Sequence, residues 1–378
     1  MVRFFFFMIG YLGMSAALFA QGIQSGCTLH VSLKQAEQSF LLEELFSEWR
    51  FVPLESDSIY QLDNPSRIPK ILMTERSIYV GSYDMVCQFN FRGKLIRSLR
   101  KGNSERDFDF VSAFTVHPDQ SLTIYNEGDV NRCYLLTYDK EGQLRWKSPS
   151  PFFLSDMDFW DASTLILRSM NGDCHPHSGK QILSVIDWRK KEILRAFLSN
   201  PKVSSPVWLR TQLSAYRGEW LMSGYQTTDI YSFTPAGARL RYHVDVDGRA
   251  VPKGFWNRPE LDGYAIVQEY NKKGYVDHIP LFMESENRIL LSYMGGSKEL
   301  EGFAWFDKQN GKLCTFHEFP FDPSFHWKPL YCYPQKNGYL IIPIPVQVLF
   351  EKKANAFIKR FLDLRKECDM LLFIGKLK

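Results

Sequence analysis

The sequence of 378 residues lacks the features that mark several common function classes. Its formal net charge is only +4 and its Lys and Arg residues are spread along the chain, so it offers no basic field for nucleic acid. It contains no Gly-x-Ser-x-Gly elbow, no phosphate-cradling glycine loop and no His-Glu-x-x-His helix. A nucleic-acid partner is therefore disfavoured, and no catalytic residue is predicted.

Paired cysteine motifs are also missing. The seven cysteines include no Cys-x-x-Cys pair, and a chain this large does not need disulfides to hold its core. Cys87, Cys133 and Cys314 lie inside apolar strand patterns, where buried free thiols are expected. Cys27 follows a glycine, as in a bacterial lipoprotein signal, but Gln24 stands where that signal has an aliphatic residue. Lipidation of Cys27, which would attach the chain to a membrane, is not favoured.

Long hydrophobic runs are absent as well. The apolar run Phe4–Leu12 follows a single basic residue, Arg3, and precedes small residues that end at Ala20. The run is short for a membrane span and matches the pattern of a secretory signal. The sequence therefore predicts a signal peptide over residues 1–20 and export to the periplasm or cell surface.

Aromatic residues, by contrast, are abundant at 15% of the chain, and they recur in strand-like repeats. Residues 77–99 alternate apolar with polar side chains at period two and read as three strands, with Gly93 in the second turn. Similar meanders with an aromatic residue near the turn follow at 121–147, 164–198, 219–246 and 288–319, and a sixth begins at 338 and resumes at 369 after an insertion. A large β-sandwich is the alternative, but it gives no reason for the turn to recur in register.

The ends of the chain are expected to complete the same sheet. Pro53 restricts the strand Arg50–Leu54 to an edge, and this strand is predicted to pair with Met370–Lys376 in the sixth blade. A short helix is predicted over Ser39–Trp49 and an amphipathic helix over Phe350–Lys366.

The predicted fold is thus all-β, a six-bladed β-propeller with four-stranded antiparallel blades, a short N-terminal helix and a helical insertion in the last blade. Its predicted parts are a signal peptide over 1–20, an N-terminal segment over 21–48 and the propeller over 49–378.

Several strings carry a resemblance to a known family. They are Phe51-Val52-Pro53-Leu54-Glu55, Ile78-Tyr79-Val80, Phe91-x-Gly93-Lys94-x-Ile96-Arg97, Lys101-Gly102, Phe114-Thr115-Val116-x-Pro118-Asp119 and the C-terminal Leu371-Leu372-Phe373-Ile374-x-Lys376-Leu377-Lys378. The chain resembles the exported six-bladed propellers of Gram-negative gut-type bacteria, relatives of NHL-type propellers. It departs where that family usually has Gly-Pro-Gly-Glu-Tyr, since Gly102-Asn103-Ser104-Glu105 stands there, and Cys368-Asp369 replaces an Asn-Pro. The resemblance implies the fold and export, and it carries over no chemistry.

Candidate site residues are few. His175 and His177 are the weak metal candidates, but Pro176 separates them and a polar turn is the favoured interpretation. Asp156 and Asp158 are expected in a solvated loop, and would share one face if the chain is extended there. Aromatic and basic loop residues suit recognition of a glycan or peptide around a central funnel, although packing between blades explains most of them: Trp160, Trp208, Arg210, Trp256, Arg258 and Tyr331.

These observations predict an exported binding module for a glycan, peptide or protein partner, with no cofactor. The alternative is an NHL-like propeller enzyme of lyase or lactonase type, which would hold a divalent cation in its channel through acids and histidines from different blades.

Overall fold

The computed structural model describes residues 26–33, 40–56, 64–102, 104, 107–127, 133–150, 154–161, 163–169, 181–190, 192–199, 212–224, 226–234, 237–258, 263–352, 357 and 368–378. Within these ranges the chain forms six antiparallel blades, so the predicted six-bladed propeller is confirmed. The predicted signal peptide lies outside the described residues.

The N-terminal segment joins three blades. Strand β1 (Cys27–Val31) adds a parallel fifth strand to the outer edge of blade 4. Helix α1 (Leu42–Leu45) then leads directly into β2 (Phe46–Leu54), the outer strand of blade 6. Between them, Glu44 forms an ion pair with Lys312 of blade 5, with 3.0 Å between Oε2 and Nζ.

The first three blades follow one another along the chain, each from its innermost strand outward. Blade 1 contains β3 (Lys70–Met73), β4 (Ile78–Ser82), β5 (Met85–Phe89) and β6 (Leu95–Arg100). Blade 2 contains β7 (Val111–Val116), β8 (Leu122–Asn126), β9 (Tyr134–Tyr138) and β10 (Leu144–Pro149). Blade 3 contains β11 (Leu154–Phe159), β12 (Thr164–Ser169), β13 (Gln181–Asp187) and β14 (Glu192–Ser199).

The last three blades carry the additions. Blade 4 contains β15 (Ser214–Tyr216), β16 (Glu219–Ser223), β17 (Asp229–Thr234) and β18 (Gly237–Val246), and helix α2 (Gly263–Lys273) follows it. Blade 5 contains β20 (Phe282–Glu284), β21 (Arg288–Gly295), β22 (Gly302–Asp307) and β23 (Leu313–Phe316), with β19 (Val276–His278) pairing with the end of β21. The hairpin of β24 (Phe319–Asp322) and β25 (Phe325–Trp327) precedes blade 6, which contains β26 (Tyr333–Pro334), β27 (Tyr339–Pro345), helix α3 (Val346–Glu351) and β28 (Met370–Leu377).

The sequence repeats correspond to the three outer strands of each blade. In blade 1 the three strands predicted over residues 77–99 correspond to β4, β5 and β6, and Gly93, in the turn between β5 and β6, has a positive φ of 76°. The innermost strand of each blade lies just before its repeat and was not predicted as part of it. These inner strands surround the axis and therefore determine where a central site can form.

The two ends of the chain pair with each other in blade 6, as predicted. Strand β2 pairs antiparallel with β28 and places Val52 opposite Leu372. Pro53 lies in this outermost strand, as predicted, since an edge strand tolerates a residue without an N–H donor.

Both predicted helices differ in extent from the structure. Of the predicted Ser39–Trp49 helix, the described residues from Phe40 onward are helical only over Leu42–Leu45, because the strand that pairs with β28 begins at Phe46. Helix α3 begins at Val346, before the predicted Phe350–Lys366 helix, most of which lies outside the described residues.

Apolar clusters between neighbouring blades hold the propeller together. One cluster packs Ile341 and Leu372 of blade 6 against Ile71 and Val80 of blade 1. Each further large cluster also combines residues of adjacent blades, in the manner of wedges around an axis rather than two facing sheets. Cys87, Cys133 and Cys314 are buried free thiols, as predicted.

Candidate functional site

A cavity of about 1010 Å³ lies on the propeller axis, at the end where the inner strands begin. All six blades contribute to its wall through residues within two positions of the start of an inner strand. These are Pro69, Phe110, Ser155, Gln212, Leu281 and Cys332, taken from blades 1 to 6 in order. The ring arrangement of the blades thus brings together residues that are far apart in the sequence.

Aromatic rings and prolines make much of the wall apolar. Tyr83, in the turn between β4 and β5, stacks on Phe110 with 4.5 Å between ring centroids and an interplanar angle of 26°. The backbone N–H of Val111 donates to the Tyr83 carbonyl at 2.8 Å, which fixes this turn against blade 2. Five prolines also line the cavity, and proline offers no backbone donor to a ligand: Pro65, Pro69, Pro280, Pro329 and Pro345.

The mouth of the cavity combines exposed apolar side chains with charges of both signs. Leu330 is 61% exposed and Met294 is 37% exposed, and both belong to the lining. Beside them Lys328 pairs with Glu301, with 3.0 Å between Nζ and Oε2, and Lys298 adds a further positive charge.

Many polar groups in the wall are bonded to each other. The Ser112 hydroxyl donates to Glu127, and Nη1 of Arg168 donates to the Ser155 hydroxyl at 2.9 Å. The Ser169 hydroxyl donates to the Ile182 carbonyl at 3.1 Å, and the Ser292 hydroxyl accepts from the N–H of Leu281 at 3.0 Å. These four bonds give part of the polar wall its partners within the chain.

A buried ion pair forms the floor of the cavity. Nζ of Lys70 donates to Asp156 Oδ1 at 2.8 Å and to the Met157 carbonyl at 2.5 Å. Both residues lie one position further along their inner strands than the lining residues Pro69 and Ser155, so the pair crosses the axis beneath the cavity. Burial acts to lower the pKa of Lys70, but the carboxylates of Asp156 and Asp158 outweigh it and raise that pKa, which keeps the lysine charged.

Further bonds connect this floor to other blades. Asp156 Oδ2 accepts from the N–H of Leu213 in blade 4 at 3.2 Å. Asp158 Oδ1 accepts from the Thr115 hydroxyl of blade 2 at 3.2 Å and pairs with Lys336 of blade 6 at 3.1 Å. The two aspartates of blade 3 therefore link blades 1, 2, 4 and 6 across the axis.

The structure brings together the two predicted acids. Asp156 and Asp158 share the axial face of β11, as period-two spacing requires of an extended chain, and they are buried rather than placed in the expected solvated loop. Trp160 follows the far end of β11 and packs partly buried between blades 3 and 4.

Of the other predicted residues that the structure describes, one lines the cavity and two pack elsewhere. Trp256 is buried against Tyr270 of α2, with 5.0 Å between ring centroids, and Arg258 pairs with Glu269 of the same helix at 2.7 Å. Tyr331 does line the cavity. Trp208, Arg210, His175 and His177 lie outside the described residues.

The sequence did not identify most of the lining. Tyr83, Phe110, Met294 and Leu330 carry no motif, and each becomes part of a site only when the blades close into a ring. The sequence offered only a positional signal: the lining residues near the start of each inner strand lie a short distance before each repeat.

Two further properties apply to the described part of the chain. No three His, Cys, Asp or Glu residues there approach closely enough to hold a metal ion. No helix in the same ranges has the length and apolar character needed to cross a membrane.

Comparison with solved structures supports the fold. A protein of Bacteroides fragilis NCTC 9343 that is presumed by its name to be exported is 13% identical, with a TM-score of 0.69, and the match covers 93% of this chain and 100% of that one. A member of the DUF4221 family from Bacteroides vulgatus is 10% identical with a TM-score of 0.50, over 88% of this chain and 97% of that one. At these identities the likeness shows the fold alone.

A search of curated proteins found no match. A family model described as a domain of unknown function, DUF4934, matches residues 28–368. The predicted membership of a family of six-bladed propellers with exported relatives is thereby confirmed. The chain belongs to the DUF4934 family.

Proposed function

We propose that this chain is an exported binding protein that takes a glycan, a peptide or a segment of a partner protein into its axial cavity. The observation that carries the proposal is the cavity itself, which all six blades build at one end of the axis. Its volume of about 1010 Å³ is at the upper end of the usual range for ligand sites, roughly 300–1,000 Å³. Such sites are mostly apolar with a few placed polar groups, as this wall is.

The chemistry of the floor supports binding over cation-dependent catalysis. A divalent cation in the channel would need carboxylate oxygens from the axis as ligands. Asp156 and Asp158 instead accept hydrogen bonds from two lysines, a hydroxyl and three backbone N–H groups. Their oxygens serve as links between blades.

Binding at the cavity can be tested with substitutions at its mouth. A thermal-shift screen of oligosaccharides and short peptides would identify a ligand, and the dissociation constant would then be measured for Met294→Glu and Leu330→Glu. We expect each to weaken binding about tenfold or more, because a charge replaces apolar contact at the rim of a pocket.

Leu240→Glu and Leu41→Glu are matched controls. Leu240 is 36% exposed on β18 and Leu41 is 67% exposed before α1, and neither lines the cavity. Equal affinity for all four variants would reject the cavity as the site.

Export to the periplasm or cell surface is the second part of the proposal. It is supported by the N-terminal signal pattern and by a structural relative presumed to be exported. Cell fractionation and mass spectrometry of the N-terminus should find the chain outside the cytoplasm and lacking about twenty residues. A cytoplasmic chain that retains Met1 would contradict it.

A further inference from the structure

We infer that the axial cavity recognises a polypeptide, and that it takes a bulky aromatic or aliphatic side chain of that polypeptide rather than a glycan. This inference rests on the proposed function and narrows it to one ligand class. Three properties of the cavity carry it: the hydrogen bonds within its wall, the apolar surface at its mouth and the charges around its rim.

The first property is that many polar groups of the wall already have partners within the chain. Ser112 bonds to Glu127, Arg168 to Ser155, and Ser169 to a backbone carbonyl. A glycan exposes many hydroxyl groups, and each needs a partner when it leaves water, at a cost of about 1–3 kcal/mol where none is found. A wall in which many donors and acceptors bond to each other offers a glycan fewer partners and therefore suits an apolar side chain better.

The second property is a concentration of exposed apolar surface. Exposed apolar residues are normal when they are scattered, but Leu330 and Met294 lie together at the mouth of one cavity. The same wall contains the stacked rings of Tyr83 and Phe110 and the largely buried Trp327. Aromatic and aliphatic anchors that fill a pocket of this kind dominate the energetics of protein recognition.

The third property is the mixed charge of the rim. Lys298 and the pair formed by Lys328 and Glu301 place both signs next to the apolar mouth. A polypeptide presents amide groups and side chains of either sign beside its apolar anchor, so it can complement such a rim. An anionic lipid headgroup, by contrast, would be repelled by the Glu301 carboxylate.

The test uses the mature chain against two probes in parallel. A random heptapeptide phage library is selected on the immobilised protein, and the same protein is applied to a glycan microarray. We expect enrichment of peptides containing Phe, Trp, Tyr, Leu or Met, and no glycan binding. Synthetic copies of the selected peptides should bind Met294→Glu and Leu330→Glu about tenfold more weakly than the native chain.

The variants distinguish failure of this inference from failure of the proposed function. Leu240→Glu and Leu41→Glu serve as controls, and unchanged urea midpoints verify that all four variants are folded. Glycan binding that the mouth variants abolish would overturn the ligand class but retain the cavity as the site. Peptide binding that the mouth variants leave unchanged, or no binding to either probe, would overturn both.

Discussion

The mouth and the floor of the axial cavity lie on the same axis but differ in side-chain chemistry, since the mouth is largely apolar and the floor is ionic. The mouth presents Leu330 and Met294 to solvent beside stacked rings. The floor is an ionic link in which the lysines of blades 1 and 6 meet the two aspartates of blade 3. The floor uses its polar groups to connect blades, whereas the mouth leaves apolar surface available to a ligand.

This contrast indicates which part of the cavity contributes to stability and which part contributes to binding. Removing one partner from a buried ion pair leaves an uncompensated charge and is costly, whereas replacing an exposed apolar side chain changes stability little. Substitutions at the floor should therefore act on folding, and substitutions at the mouth should act on binding.

The largest effect is expected for Lys70→Met. The lysine side chain is only 12% exposed and Asp156 is similarly buried, so the substitution leaves a carboxylate without its counter-charge beneath the cavity. We expect the free energy of unfolding to fall by about 3–5 kcal/mol, measured by urea denaturation.

The double variant Lys70→Met with Asp156→Asn is the control for Lys70→Met. It removes the stranded charge while keeping an acceptor for the Leu213 N–H, so it should recover part of the loss. A double variant less stable than Lys70→Met alone would contradict the ionic interpretation of the floor.

A buried carboxyl beside the cavity should make stability depend on pH. Asp277 precedes the lining residue His278 and accepts a hydrogen bond from the Tyr270 hydroxyl at 2.6 Å, and burial raises its pKa to about 6 from an ordinary 3.8. The folded chain therefore holds this proton more tightly than the unfolded chain. This contribution to stability is fully present below about pH 4 and is lost as the pH rises through 6, amounting to about 3 kcal/mol.

Two variants test the assignment to Asp277. Asp277→Asn cannot titrate and should remove this decline between pH 4 and 6 in urea titrations. Tyr270→Phe removes a hydroxyl that favours the ionised carboxyl, so the decline should move to higher pH. An unchanged pH profile in both variants would assign the titration to another group.

A smaller loss is expected for Lys336→Met at the second ion pair. This lysine is 41% exposed, so water compensates part of the charge left on Asp158. The expected loss in unfolding free energy is about 1 kcal/mol, measured as for Lys70→Met. A loss equal to that of Lys70→Met would show that solvent exposure does not determine how much each ion pair contributes to stability.

The smallest change in stability is expected at the mouth. Met294→Glu and Leu330→Glu should shift the unfolding free energy by no more than about 0.5 kcal/mol, because their side chains already face solvent. Urea titration checks this, and destabilisation by several kcal/mol would erase the distinction between mouth and floor.

The sequence predicted the outer three strands of each blade and the closure by β2 and β28, because period-two alternation and turn glycines are local signals. It did not identify the inner strands, since segments such as Ser214–Tyr216 and Tyr333–Pro334 are too short to show a period. The parallel addition of β1 to blade 4 depends on packing that no local pattern encodes.

The candidate site was less predictable, because its contacts join distant parts of the chain. Asp156 and Asp158 were singled out by spacing, but Lys70 is 86 residues away from the aspartate that it pairs with. The stack of Tyr83 on Phe110 likewise requires two neighbouring blades to be in place. Only the ring geometry reveals the cavity that these residues line.

The most direct test of the central claim is a crystal structure of the chain with the tightest-binding peptide from the phage selection. We expect an apolar side chain of that peptide inside the axial cavity, in contact with Leu330 on one side and with the stacked pair of Tyr83 and Phe110 on the other. A peptide bound on another surface, with the cavity left empty, would contradict the account.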